Sequence, residues 1–335
     1  GDIFMSGADL AAEHVNEDGL LSGDLNILYE DSQALPQQGV VAMNKLVNVE
    51  GVPYTLSAFT GVSKAISTLA QRSQTVAVNG GGVGPDLAKL GDYFWNVIPL
   101  ANNEVGALAR YAVNDLGHKR FPLVYVDDPL GESILNELEK TLPPLGAELV
   151  ESHSIAASAQ QFSGVAARVR SDNPDVVYVA SYGSQQLQIV KQLRDNGVKA
   201  QIASYSAFSV PELQEQEEAQ GALFTTQSIE WDSNDSVTKR FVDDYRAEHD
   251  KNPTSYIANY YNAVRVFALL AQALEAQGKE ITGANLLAQR KATATFKLVG
   301  GEVSFQENGT LLAPIQVLEV DGSGSGKVVS VKAGD

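Results

Sequence analysis

Between residues 123 and 196 the chain reads LVYV (Leu123–Val126), SILNELEKTL (Ser133–Leu142), LVES (Leu149–Ser152), QQFSGVAARVRS (Gln160–Ser171), VVYVA (Val176–Ala180) and SQQLQIVKQLRDN (Ser184–Asn196). The short runs suit strands. The longer ones carry apolar residues three and four apart, as helices do, and Pro143-Pro144 closes the first of them. Strands that alternate with helices at this spacing are joined by right-handed crossovers, which makes the sheet parallel. Toward the N-terminus the same alternation recurs. Residues 7–17 predict a helix stopped by Asp18-Gly19, Leu25–Tyr29 a strand, and Gln37–Val49 a helix with Val40, Val41, Leu46 and Val47 inward. Tyr54–Ala58 predicts a strand, Ser63–Gln71 a helix and Thr75–Val78 a strand. Two such runs predict an α/β protein of two doubly wound parallel-sheet lobes.

Toward the C-terminus the alternation stops. Ser236–His249, Ser255–Gln277 and Ile281–Arg290 predict helices, and Glu302–Phe305, Ile315–Val320 and Lys327–Val331 short strands between Gly-rich turns. A helix-rich stretch that matches neither lobe's period predicts a return to the first lobe. The expected division is 1–100 with 228–310 for one lobe, and 101–227 with 311–335 for the other.

The chain has 335 residues, 44% hydrophobic and 19% charged, as a folded globular protein has. At ~100–200 residues per domain this length predicts two domains. It carries 24 Lys and Arg against 41 Asp and Glu, a net charge of −17. That charge repels phosphate backbones, so no nucleic-acid partner is expected. No apolar run approaches the ~20 residues that cross a bilayer. The absence of cysteine removes disulfides, thiolate metal sites and cysteine nucleophiles. Gly1-Asp2-Ile3 lacks the basic start and apolar core of a signal peptide, so an exported protein of this sequence would be a mature form.

Motifs for chemistry are weak. Asn79-Gly80-Gly81-Gly82-Val83-Gly84-Pro85 follows a predicted strand, yet the glycine order and the early proline do not fit a dinucleotide fingerprint. Such a loop at a strand end can still offer backbone N–H groups to a small anion. His14, His118, His153 and His249 are not spaced as metal pairs and sit in polar contexts, so they read as surface residues. Asp127-Asp128 reads as a loop cap and Glu212–Glu218 as a solvated helix face. No nucleophile elbow or Walker loop is present. The expectation is no enzyme, no catalytic residue, no metal and no cofactor.

Several stretches together carry a family resemblance. GADLAAE (Gly7–Glu13), Asn16 and GLLSG (Gly19–Gly23) resemble the opening of type I periplasmic solute-binding proteins, in the leucine/isoleucine/valine-binding family of ABC importers. Tyr29–Ser32 with Pro36, AMNKLV (Ala42–Val47), DDPLG (Asp127–Gly131), PDVVY (Pro174–Tyr178), KQLRDNG (Lys191–Gly197), Tyr261–Ala263 and the Gly301–Gly309 stretch are similar to later family motifs. Each is short, but their order and spacing cover essentially the whole chain. The resemblance implies a strand upstream of Gly1, which would lie in the first lobe's sheet. It implies three crossovers between lobes, near Pro99–Asn103, Thr225–Ser228 and Thr310–Ala313, and a ligand in the interlobe cleft. The function implied is an extracytoplasmic, periplasmic, monomeric component of an ABC importer. It closes on an amino acid, an aromatic or other small carboxylate, or an amide, and delivers it to a membrane permease. The alternative is a ligand-sensing receptor domain of the same fold, which a fused helix or catalytic domain would mark.

The resemblance also implies site residues. In amino-acid-binding members a loop hydroxyl and the next loop's amides hold the ligand carboxylate. Here these positions fall on Thr60, with Gly61 competing by one residue, and on Gly81, Gly82 and Val83. Tyr182 falls on a family binding tyrosine, and Leu130 where another tyrosine is common. The carboxylate that pairs with a ligand ammonium falls near Ser206, yet Ser204–Phe208 contains no acid. An unpaired buried ammonium is costly, so a carboxylate or amide with an apolar body against Phe59, Tyr205 and Phe208 fits better. Glu230 or Asp128 are the acids that would restore amino-acid binding.

Overall fold

The computed structural model describes residues 2–332. The chain opens with α1 (Asp2–Glu17), α2 (Pro36–Asn44) continued by a π-turn (Lys45–Val49), β1 (Tyr54–Ser57), α3 (Thr60–Ser73), β2 (Val76–Asn79) and β3 (Phe94–Asn96). Next come α4 (Ala101–Arg110), β4 (Arg120–Val126), α5 (Pro129–Thr141), β5 (Glu148–Ile155), α6 (Ser163–Ser171), β6 (Val176–Ala180) and α7 (Gly183–Asp195). They are followed by β7 (Gln201–Ala203), α8 (Pro211–Gln214) and β8 (Leu223–Gln227). Then α9 (Ser236–His249), α10 (Ser255–Ala276), α11 (Gly283–Ala292), the hairpin β9 (Phe296–Leu298) and β10 (Gly301–Val303), and finally β11 (Ile315–Glu319) and β12 (Lys327–Lys332) complete it. Two compact units result, one of Gly1–Pro99 with Ile229–Ala313, the other of Leu100–Ser228 with Pro314–Asp335.

The second unit holds a seven-stranded sheet in the order β12-β11-β8-β7-β6-β4-β5. It is parallel from β8 to β5, and β11 joins antiparallel to both β8 and β12. β6 is buried along its whole length, as the unbroken apolar run Val176-Val177-Tyr178-Val179 requires of an inner parallel strand. Its register sets Tyr178 beside Leu123 and Val177 beside Ile202. Helix α7 buries Gln186, Ile189, Val190 and Leu193, three to four residues apart, against Val177, Val179 and Ile202. Each such aliphatic side chain contributes roughly 1.5–3 kcal/mol by leaving water.

The first unit holds the parallel sheet β1-β2-β3, with Tyr54 opposite Val76 and Ala77 opposite Phe94. The 22-residue α10 runs through its core, apolar on nearly every side. Its two asparagines are buried: Asn262 accepts from Val299 N at 2.8 Å and donates to Val299 O at 3.1 Å, while Asn259 donates to Gly80 O at 3.3 Å and its Oδ1 has no partner among the described residues. Helix α1 packs along α10, joining Ala8, Leu10 and Ala11 to Ile257, Tyr261 and Val264.

Four sequence readings are corrected. Leu25–Tyr29 has no regular secondary structure and joins no sheet. The Asn16 side chain takes the place of a neighbouring strand, accepting from Leu25 N at 2.7 Å and donating to Leu25 O at 3.0 Å. The segment lines a groove of about 850 Å3 on the open edge of β1, with Leu56, Tyr260, Val264 and Phe267 on its walls. In α2, Val41 is 63% exposed, and Gly39 and Met43 face inward instead. Glu212–Glu218 is no single helix face, since α8 ends at Gln214 with Leu213 and Gln214 buried. His14 and His153 are buried, each satisfied by a carboxylate: Asp244 at 2.8 Å and Asp172 at 2.7 Å.

Candidate functional site

Parallel strands end in loops whose amides and side chains converge beyond the carboxyl edge of the sheet, where open α/β folds bind ligands. In the first unit two such loops meet. After β1, Phe59 takes a positive φ of 64° and the chain turns into α3 at Thr60. After β2, Gly80–Gly84 folds over that turn. A Cβ on Gly82 would lie 2.8 Å from Thr60 N, so only glycine lets the two backbones approach this closely. Thr60 Oγ1 accepts from Gly84 N at 3.3 Å, tying the loops together.

The glycine loop is shaped by Asn79, a residue that loop composition did not single out. Its Oδ1 accepts from Gly81 N at 3.2 Å and Gly82 N at 2.7 Å, and its Nδ2 donates to Gly82 O at 2.7 Å and Asn96 Oδ1 at 3.0 Å. Two of the amides expected to face a ligand are therefore held from behind. Among the described residues Val83 N has no hydrogen-bond partner. Thr60 is partly buried, Gly61 exposed, Gly81 partly buried, and Gly82 and Val83 buried.

In the second unit three loops end β4, β6 and β7. Asp128 caps α5, accepting from Gly131 N at 2.8 Å, and its other oxygen accepts from the Tyr182 hydroxyl at 2.8 Å. A Cβ on Gly131 would meet Val126 O at 1.8 Å, so the β4–α5 turn closes only with glycine there. Tyr182 stays 48% exposed, and burial of its hydroxyl, with Asp128 beside it, pushes its pKa up to about 12. It is thus a neutral hydrogen-bond donor with an open aromatic face. Leu130 lies next to Asp128 in the first turn of α5, partly buried. Asp128 is already engaged by two donors, and Glu230, in the other unit, is exposed.

The turn after β7 was expected to lack an acid, and no residue of 204–208 supplies one. Glu104 of α4 reaches it from another element. Its Oε1 accepts from Ser206 N at 3.0 Å and Thr225 Oγ1 at 3.1 Å, and its Oε2 lies 3.1 Å from Ser206 Oγ. Glu104 is 2% exposed, and burial pushes its pKa up to about 8 against the pull of these hydrogen bonds. Beside it, the Tyr178 hydroxyl is buried without a hydrogen-bond partner among the described residues, and the Glu104 charge adds to the rise of its pKa. Only the 3.6-residue period could have flagged Glu104, by placing it with Ala101, Val105 and Leu108 on the inward stripe. Tyr205 and Phe208 belong to the core: Tyr205 donates to Ser181 O at 2.9 Å, and Phe208 packs on Phe224. Phe59, 46% exposed, is the aromatic of that expected trio left open.

Among the described residues no group of three His, Asp or Glu side chains is arranged to hold a metal. None of their helices is long and apolar enough to cross a membrane.

Two parallel-sheet units, each with polar side chains gathered at strand carboxyl ends, define the class of type I α/β binding proteins. The chain belongs to the periplasmic binding protein family, whose model matches residues 2–326. It is similar to the leucine-specific-binding protein of Salmonella typhimurium, 26% identical over 206 residues. That match covers 60% of this chain but only 55% of the Salmonella protein's length. Two solved structures share the fold. A leucine binding protein LivK from Thermotoga maritima superposes at a TM-score of 0.87 with 22% identity, covering 99% of this chain and 94% of that one. An ABC-transporter solute-binding protein from R. palustris in complex with 4-hydroxybenzoate superposes at 0.84 with 20% identity, covering 100% and 93%.

Proposed function

We propose that this chain is the extracytoplasmic solute-binding component of an ABC importer and that its ligand is a small organic carboxylate with an apolar or aromatic body. Thr60 Oγ1 and Val83 N hold the carboxylate from the first unit, with Gly61, Gly81 and Gly82 shaping the loops. Tyr182 stacks on or hydrogen-bonds to the ligand from the second unit, beside Leu130 and Ser206. Contacts from both units favour the closed member of an open–closed equilibrium, the form a membrane permease receives. The protein acts as a monomer, breaks no bond and needs no cofactor or metal. The observation that supports the reading is the gathering of these residues at the carboxyl ends of the parallel strands in each unit. Leucine and 4-hydroxybenzoate, named for the relatives, mark the two ends of the ligand class.

Calorimetry with leucine, 4-methylpentanoate, benzoate and 4-hydroxybenzoate tests it. The des-amino acids should bind at least as tightly as leucine, because Glu104 meets the Ser206 turn with a carboxyl whose pKa lies near 8. Leucine binding far more tightly than 4-methylpentanoate would reject a carboxylate ligand in favour of an amino acid.

A further inference from the structure

We propose that the proton on Glu104 sets which way the Ser206 hydroxyl directs its hydrogen, and so whether this turn offers the ligand a donor or an acceptor. The inference rests on the reading above that Ser206 faces the ligand. Its basis is the geometry of one buried carboxyl. Oε1 is filled by two donors, Ser206 N at 3.0 Å and Thr225 Oγ1 at 3.1 Å, which is the bonding of a carbonyl oxygen. The proton therefore sits on Oε2, 3.1 Å from Ser206 Oγ. In this form Oε2–H donates to Ser206 Oγ, and the serine hydrogen turns away from α4 to meet an acceptor such as a carboxylate or amide oxygen. When the proton leaves, Ser206 Oγ–H donates back to Oε2. The lone pairs then turn outward and suit a donor such as an ammonium. Ser206 is partly exposed at the end of β7, so its outward side is the one left for a ligand.

The donors that hold Glu104 are neutral, and its burial favours the protonated form at neutral pH. Charged or titratable groups on the elements packed against α4 are Glu132, Glu137, Glu139 and Lys140 on α5, Tyr111 and Asp115 on the turn after α4, and Glu319 on β11, with Arg110 on α4 itself. Each is at least partly exposed, whereas Tyr178 is the buried titratable neighbour. Ligand polarity and one proton are thereby coupled. A ligand that presents an oxygen draws a proton onto Glu104, and one that presents an ammonium drives it off.

The test compares the wild type, Glu104→Gln and Ser206→Ala, with benzoate as probe because it does not titrate in the range used. The glutamine keeps the carbonyl oxygen and puts an N–H where the acid proton sits, so it copies the protonated form at every pH. From pH 7 to pH 9 the wild-type affinity for benzoate should fall by about three- to tenfold, with proton uptake on binding at the upper end. Glu104→Gln and Ser206→Ala should both be flat. A flat wild-type profile, or a Glu104→Gln profile that follows the wild type, overturns the proposal. A ligand-free readout separates it from the transport reading: the side-chain carboxyl carbon resonance of 13C-labelled glutamate that disappears in Glu104→Gln. If it titrates between pH 7 and 9, the protonated anchor stands, and a failure of every carboxylate to bind then counts against the proposed function. If it titrates below pH 6, the proposal falls whatever the protein binds.

Discussion

Asn79 is fully buried; it holds the glycine loop of the first unit through its Oδ1 and one Nδ2 hydrogen bond, and its other Nδ2 hydrogen bond goes to Asn96. Asn79→Ala would leave the Gly81 and Gly82 amides without their acceptor. At ~1–3 kcal/mol for a buried unsatisfied group, we expect a loss of about 2–4 kcal/mol in urea unfolding, with ligand affinity falling as the loop loosens. Thr60→Ala should cost benzoate or leucine about ten- to a hundredfold in calorimetry, the weight of one hydrogen bond to a charged group. Tyr182→Ala should cost at least as much, since it removes an open aromatic wall together with a donor whose partner is Asp128. At this scale the sequence shows the glycines because they are numerous, but the asparagine acts through tertiary geometry that no spacing encodes. The same holds for His14 and His153. Polar neighbours in sequence suggested solvent, while the neighbours in space are Tyr261 and Asp244 for one and Asp172 for the other.

Helix α4 carries a carboxyl into the core, and that makes stability depend on pH. The ordinary value of 4.5 is raised to about 8 in the folded protein, so the folded state binds more protons than the unfolded state between these limits. Its contribution is fully present below about pH 4.5, shrinks as pH rises through 8, and is level beyond, by at most about 1.4 kcal/mol per pH unit. Urea midpoints taken from pH 5.5 to 8 should fall in the wild type and fall less in Glu104→Gln. Helix α5 tests a different link: Asp128→Ala removes the N-cap and should cost about 0.5–2 kcal/mol in the same assay. The strands and helices around these two are legible from period alone, because β4, β6 and α9 need only their own residues to declare themselves. Leu25–Tyr29 fails that test for a physical reason. Its composition suits a strand, but a strand exists only beside another, and the Asn16 side chain is what meets it.

The molecule is threaded so that neither unit is one continuous piece of chain. The sheet of the second unit is finished by β11, whose Val317 lies opposite Thr225 of β8, and by β12 outside it. Removing everything after Ala313 should bare the edge of β8 and the core face that Ile315, Val317, Leu318 and Val320 cover. Amide hydrogen exchange should then show protection lost across β6, β7 and β8 and retained in α10 and β2. Equal loss in both units would refute this. The alternation of the two runs made the two sheets readable from sequence, and family motifs in order carried the likeness; which loops meet at the strand ends needed the structure. The threading also has a consequence in time. A ribosome releases residues in order, so β8 must wait for the residues from 229 to 314 to be made before its outer partner exists. Until then the nascent second half exposes an unfinished sheet edge, and the interval is set by translation speed, not by the chemistry of any contact.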